Sequence, residues 1–285
     1  MSQPNGSTKV PISCFGPCAR YNFVQRKWER AMGRAGLGLT LPGREPGQSE
    51  SGQDGGVDLY AQYGFERTGG DLFDSVRIGP RVAFFLTDIA GRRPELDPIA
   101  AEMQKVFRAT STELLSAVDV NLMEATETLI LAINQALIEV AKGVRFAPTM
   151  VSCYDVQLGI LAYINAGGQT ALIQDSEGTL ALPNVSVPLG LFTHLPYDAS
   201  IQAFEPGATL LVVTKGITQS MRGKSPFGKE RLLEVLQHSK HESASEICQT
   251  VLRAAHRFEK RSWGWLPFRR LVREDMTALA MVRGV

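Results

Sequence analysis

Gly69-Gly70-Asp71-Leu72-Phe73-Asp74 opens one predicted strand, and Thr87-Asp88-Ile89-Ala90-Gly91 closes the next, after the apolar run 82–86. Acidic residues at strand ends, beside glycines that let backbones approach closely, suit a hard divalent cation, because magnesium and manganese prefer oxygen donors. A third cluster, Glu274-Asp275-Met276-Thr277, stands where the last predicted strand begins. Taken singly, each cluster has a plainer reading as turn or helix-cap residues. Their value lies in their order along the chain and in the elements between them.

Outward from these clusters the periodicities separate into blocks. Strand-like alternation starts at Val57-Asp58-Leu59-Tyr60-Ala61 and returns over 72–78. Apolar residues then recur at helical spacing over 98–117 and 121–142, which predicts two long helices. Short strands follow over 149–154, 159–164, 171–174, 201–204 and 209–213, punctuated by Ala166-Gly167-Gly168, Ser176-Glu177-Gly178 and Glu205-Pro206-Gly207. Helices resume over 228–237 and 243–258, the second opening with the capping pattern Ser243-Ala244-Ser245-Glu246, and 276–282 closes as a strand. Strands in a block and helices in pairs, without strict alternation, predict an α+β fold with sheets packed between helices.

Residues 1–55 read differently. Gly, Pro, Ser and Gln crowd both ends, and 42–56 has almost nothing to bury, so an N-terminal extension and linker over 1–55 ahead of one domain over 56–285 is expected. Residues 1–44 carry seven Lys and Arg against the single Glu29, and 20–34 could form one amphipathic helix. This arm is either a docking element or a solvated extension, and the second reading is the plainer one.

The 285 residues balance 30 Lys+Arg against 29 Asp+Glu, so the global charge gives no reason to expect a nucleic-acid partner. The longest apolar runs, such as 210–213, fall far short of the roughly 18 residues that cross a bilayer, and the first residues lack a secretory signal. A cytoplasmic protein without a transmembrane segment is expected. Cys14, Cys18, Cys153 and Cys248 are too few and too scattered for a disulfide framework. No Gly-Lys-Ser/Thr follows Gly167-Gly168 and no serine sits in Gly-x-Ser-x-Gly, which disfavours a P-loop nucleotide site and a Ser-His-Asp hydrolase. His238 and His241 have a metal-like interval but no third ligand nearby, so a solvated loop is the better reading. The stretch 260–271, rich in Trp and Arg, lies between the last helix and the last strand; it reads equally as a docking loop and as Trp packed on the sandwich edge.

In order and spacing the clusters resemble the SpoIIE-type serine/threonine phosphatases, the bacterial branch of the metal-dependent PPM phosphatases related to protein phosphatase 2C. The family's Gly-Gly-Asp-x-x-Asp stands here as 69–74, its Asp-Val-Ser-Gly turn as Asp88-Ile89-Ala90-Gly91, and its Asn-Ala-Gly-His turn as Asn165-Ala166-Gly167-Gly168. Its Pro-Leu-Gly appears as Pro188-Leu189-Gly190, its Phe-Gly-x-x-Arg-Leu as Phe227-Gly228-Lys229-Glu230-Arg231-Leu232, and its Asp-Asp-x-Thr as Glu274-Asp275-Met276-Thr277. The resemblance runs from about Val57 to Val285. It implies a β-sandwich flanked by paired helices, with one or two Mn2+ or Mg2+ ions at one end that clamp phosphate and activate a water for in-line attack. By position, Asp88 would bridge two ions with help from the Ile89 carbonyl, Asp275 would hold the first ion, and Asp71 would support the second. Asp74 would shape the strand. Arg92 or Arg93 would help to hold phosphate.

The sequence departs from that pattern where the family's Thr-Asp-Gly reads Thr214-Lys215-Gly216. An ammonium among Asp88 and Asp275 would repel a divalent ion and occupy roughly the place of the first one. Gln219 for the usual Glu, Gly168 for the His and Gly91-Arg92-Arg93 for Gly-x-Gly are further departures. Two readings stay open: a phosphoserine/phosphothreonine protein phosphatase with impaired activity, and a catalytically inactive pseudophosphatase that binds a phosphoprotein or regulatory partner in bacterial signalling. The two long helices could bury their apolar faces within the domain or against a second copy, so a homodimer is also open.

Overall fold

The computed structural model describes residues 56–64, 69–141, 145–184, 186–240, 242–260 and 274–284. The arm over 1–55, its proposed amphipathic helix, His241 and most of the Trp/Arg-rich stretch, 261–273, lie outside the described residues.

Two antiparallel five-stranded sheets pack face to face. The first has the order β1 (Val57–Tyr63), β12 (Thr277–Arg283), β9 (Thr209–Val213), β6 (Thr170–Gln174) and β7 (Thr179–Ala181). The second runs β2 (Asp71–Ile78), β3 (Arg81–Asp88), β4 (Thr149–Asp155), β5 (Ile160–Ala166) and β8 (Ser200–Ala203). Helices α1 (Arg93–Leu115) and α2 (Leu122–Val140) cover the outer face of the second sheet. Helix α4 (Gly228–His238) and helix α5 (Ala244–Lys260) cover the outer face of the first. A one-turn helix α3 (Lys215–Thr218) and a small hairpin, β10 (Met221–Arg222) with β11 (Ser225–Pro226), lie between β9 and α4.

The unbroken apolar run of β3 follows from this layering. Phe84 and Leu86 point into the space between the sheets with Phe73, Tyr154 and Val212, while Phe85 points the other way, onto Phe107 of α1 at 4.8 Å between ring centres. With both faces of the sheet covered, alternate side chains are all buried, so period-two polarity disappears. The apolar faces of α1 and α2, including Met103, Phe107, Leu129 and Ile133, are spent on their own sheet.

The sequence placed the start of α1 at Pro98, but the helix begins five residues earlier, at Arg93. Pro94 sits in the first turn, where its missing N–H costs nothing, and Pro98 comes one turn later, so its ring ends no established helix. Strand β7, helix α3 and the β10–β11 hairpin went unread because each has too few residues to show a period. The capping pattern at Ser243 forms as expected: the Ser243 N–H donates to Glu246 at 2.8 Å and the Glu246 N–H to the Ser243 hydroxyl at 3.3 Å. His238 closes α4 with Nδ1 2.6 Å from the Glu234 carbonyl. Cys153 and Cys248 are buried free thiols.

Candidate active site

Sheet pairing brings the acidic clusters to one end of the sandwich. Asp71 opens β2 directly across from Asp88, the last residue of β3. The turn after β3 is pinned by three backbone bonds: Asp88 N–H to Pro148, Ile89 N–H to Gly70 and Ala90 N–H to Phe146, all at 3.0–3.1 Å. Only glycine fits at position 70, since an added methyl would fall 1.9 Å from the Ile89 carbonyl oxygen. On the other sheet, a methyl on Gly216 would fall 1.9 Å from the Asp275 carbonyl oxygen, so the turn after β9 is pressed against the approach to β12. The Gly69 N–H donates to Asp275 Oδ1 at 2.9 Å, joining the first and third clusters.

Asp71 is almost fully buried. Its Oδ2 accepts from the Thr214 hydroxyl at 2.7 Å and the Thr277 hydroxyl at 2.6 Å, and the Thr277 N–H donates to Thr214 Oγ1 at 3.0 Å. Burial first, and then the charges of Asp88 and Asp275, push the Asp71 carboxyl up to about 8, against the pull of the two hydroxyls. Burial also raises Asp88 above the ordinary carboxylate range, offset by the cation beside it.

That cation is Lys215. Its Nζ lies 3.4 Å from Asp88 Oδ2 and 3.9 Å from Glu274 Oε1, with 43% of its side chain exposed. The two pairs place an ammonium at the carboxylate end of the sandwich, beside two of the three clusters. Of the carboxyl groups that the resemblance assigned to ions, Asp71 is engaged by two hydroxyls and Asp88 by the ammonium. Among the described residues no three His, Cys, Asp or Glu side chains stand together as an ion site. An ammonium 3.4 Å from Asp88 does not fit beside a second divalent ion on the same carboxylate.

The other expected site residues fall as follows. Ile89 is buried, with its carbonyl beside Gly70. Asp74 takes no part in the acidic end: Arg108 of α1 grips it with two bonds, at 2.6 and 3.1 Å. Arg92 is exposed at the N-cap of α1, and Arg93 is that helix's first residue. The guanidinium that does touch the turn after Asp88 is one the sequence reading missed. Arg145 donates to the Ala90 carbonyl at 3.2 Å and to Glu95 at 2.8 Å. Position 145 carries no motif, and only the pairing of the following residues with the turn could reveal it.

Two face-to-face antiparallel sheets, outer helix pairs and carboxylates gathered at one end are the architecture of the PP2C-like protein phosphatases. Solved structures share it. The RsbU and RsbW domains of Rv1364c from Mycobacterium tuberculosis superpose with a TM-score of 0.63 at 20% identity, covering 81% of this chain and 62% of that one. The SiaA-PP2C domain of Pseudomonas aeruginosa does so with a TM-score of 0.62 at 15% identity, covering 78% and 84%. In sequence, residues 79–282 match the family model described as Stage II sporulation protein E, and the chain belongs to this SpoIIE family of PPM-type phosphatases. Among curated proteins, the phosphoserine phosphatase RsbP of Bacillus subtilis is 26% identical over 210 residues, 67% of this chain and 50% of that protein. The protein IcfG of Synechocystis is 31% identical over 93 residues, 32% of this chain and 15% of that protein. The chain thus spans half or less of the curated relatives it matches. Among the described residues no helix is long and apolar enough to cross a membrane.

Proposed function

We propose that this chain is a phosphoserine/phosphothreonine phosphatase homologue whose metal-dependent catalysis is impaired by Lys215, and that it engages a phosphoprotein of a bacterial signalling pathway in the cytoplasm. The observation that carries this reading is the Lys215–Asp88 pair at 3.4 Å. A two-metal phosphatase needs Asp88 to share its charge between ions, and here that charge is already shared with an ammonium. The lysine neutralises a partly buried carboxylate without supplying Lewis acidity or an activated water, so the fold keeps its shape and loses its chemistry.

Residual phosphatase activity is the second reading, favoured by the convergence of Asp71, Asp88 and Asp275 at one end of the sandwich. In it, Asp88 and Asp275 would hold a single Mn2+ or Mg2+, and Arg92 or Arg93 would help to hold the phosphate. The domain over 56–285 would carry either function, with 1–55 as an extension.

Hydrolysis of a generic aryl phosphate in manganese separates the two. Wild type is expected to match Asp88→Ala, while Lys215→Asp gains metal-dependent turnover of about a hundredfold or more, since one ligand of a two-metal centre is worth orders of magnitude in rate. Wild-type turnover far above Asp88→Ala, with no gain from Lys215→Asp, would establish the chain as an active phosphatase and sink the impaired reading.

A further inference from the structure

The carboxylate end of the sandwich has an oppositely charged neighbour. Asp88, Glu274 and Asp275 stand there with the ammonium of Lys215 beside Asp88 and Glu274, whereas residues 222–231 hold Arg222, Lys224, Lys229 and Arg231 against Glu230 alone. The two regions are mechanically joined. The Ser220 hydroxyl donates to the Gly216 carbonyl at 2.8 Å, and the Phe227 N–H donates to the Ser220 carbonyl at 2.7 Å, so the β10–β11 hairpin is stapled at its base one turn past Lys215. Every residue from Met221 to Pro226 is exposed.

Two of the four cations are arranged on one aromatic ring. The guanidiniums of Arg222 and Arg231 each lie 4.7 Å from the centre of the Phe258 ring, which is itself buried and packs edge-on against Phe227. Arg231 is fixed further by donating to the carbonyls of Pro226 and Phe227. Stacking on the ring limits the freedom of Arg222, and a guanidinium held in place loses less entropy when it takes up a carboxylate.

We propose that the β10–β11 hairpin is a docking surface for an acidic segment of the phosphoprotein partner, with Arg222 and Lys224 as the contacting residues and Arg231 as a positioning residue behind them. The inference rests on the reading that the partner is a phosphoprotein. The ammonium of Lys215 is already shared with Asp88 and Glu274, so it offers a phosphate alone little net attraction. Acidic residues beside the phosphorylated one would find opposite charge on the hairpin and bring that residue to Lys215. The same geometry disfavours an extended polyanion. A nucleic-acid strand or an anionic membrane extending from the hairpin past Lys215 would also meet the carboxylates of Asp88 and Glu274.

The test uses the full chain and fluorescently labelled phosphoserine peptides with either acidic or neutral flanks, read by polarisation at low and moderate salt. Wild type is expected to bind the acidic-flanked peptide at least about tenfold more tightly, with the preference shrinking as salt rises. Arg222→Glu with Lys224→Glu should abolish the preference, and Arg222→Gln with Lys224→Gln should reduce it, with thermal melts confirming that both fold. In a Lys215→Asp background, the charge reversal should raise KM for the acidic phosphopeptide and leave aryl phosphate turnover unchanged. Failure of Lys215→Asp to gain turnover counts against the impaired-site reading and leaves the flank preference to be read by binding alone. Equal binding of both peptides, a preference that survives charge reversal, or tighter hairpin-dependent binding of an oligonucleotide or anionic vesicles would each overturn the proposal.

Discussion

Asp74 and Asp88 lie on the same β2–β3 hairpin and both pair with a cation, yet the two pairs are built differently. Asp74 meets the planar fork of Arg108 with two bonds, one of 2.6 Å, and its side chain is 9% exposed. Asp88 meets a single ammonium at 3.4 Å, and exposure does not separate the pairs: 42% for Arg108 and 9% for Asp74 against 43% for Lys215 and 14% for Asp88. The first pair clamps α1 to the sheet, because a bidentate guanidinium fixes distance and angle together. The second fixes charge and little else. One hairpin, β2–β3, therefore contains a carboxylate that serves architecture and another that serves the acidic end.

The comparison can be broken most severely at Gly70, on which the placement of Asp88 depends. Gly70→Ala puts a methyl onto the Ile89 carbonyl and is expected to cost about 3 kcal/mol, seen as the largest fall in Tm of any single change here. Next, Arg108→Ala should cost about 2 kcal/mol, and Arg108→Lys should recover only part of it, because a lysine keeps the charge and loses the fork. Thermal melts of both variants measure the clamp directly; equal stability of Arg108→Lys and wild type would erase the distinction drawn between the two pairs.

Asp71 sharpens the contrast through pH. Its carboxyl stays protonated up to about pH 8 in the folded chain and ionises near its ordinary 3.8 when unfolded. The folded state holds the extra proton across that window, so the wild type should lose stability as pH rises from about 4 to about 8. Asp71→Asn should flatten this part of the Tm-versus-pH curve. Smaller still is Lys215→Met, expected to change stability by less than about 1 kcal/mol, since its contacts to Asp88 and Glu274, at 3.4 and 3.9 Å, are long and lack the fork geometry of Arg108. Deleting residues 1–50 should change Tm least of all, and a large loss would move the domain boundary upstream.

Much of this arrangement was legible because the residues concerned are local in sequence. The motif glycines and acids lie at strand ends, and Thr214-Lys215-Gly216 announces its departure from the family pattern by itself. Arg108, Arg145 and the paired threonines were not legible as partners. Arg108 lies 34 residues from Asp74, and Thr214 and Thr277 lie 143 and 206 from Asp71. Such contacts are set by which strand neighbours which, and no periodicity encodes that. Thr214 and Thr277 sat inside quoted motifs, yet a hydroxyl gives no hint of its acceptor until the sheets are assembled.

Those two threonines have a consequence for how the two layers are held together. Thr277 opens β12 and Thr214 directly follows β9 of the same sheet, while Asp71 opens β2 of the other, so their shared carboxyl oxygen rivets the two layers together at the end where the acidic residues gather. A sandwich fastened there by its own hydroxyls does not depend on bound ions to stay closed. A change at position 215 therefore leaves this fastening in place, because neither threonine nor Asp71 takes its hydrogen bonds from that side chain.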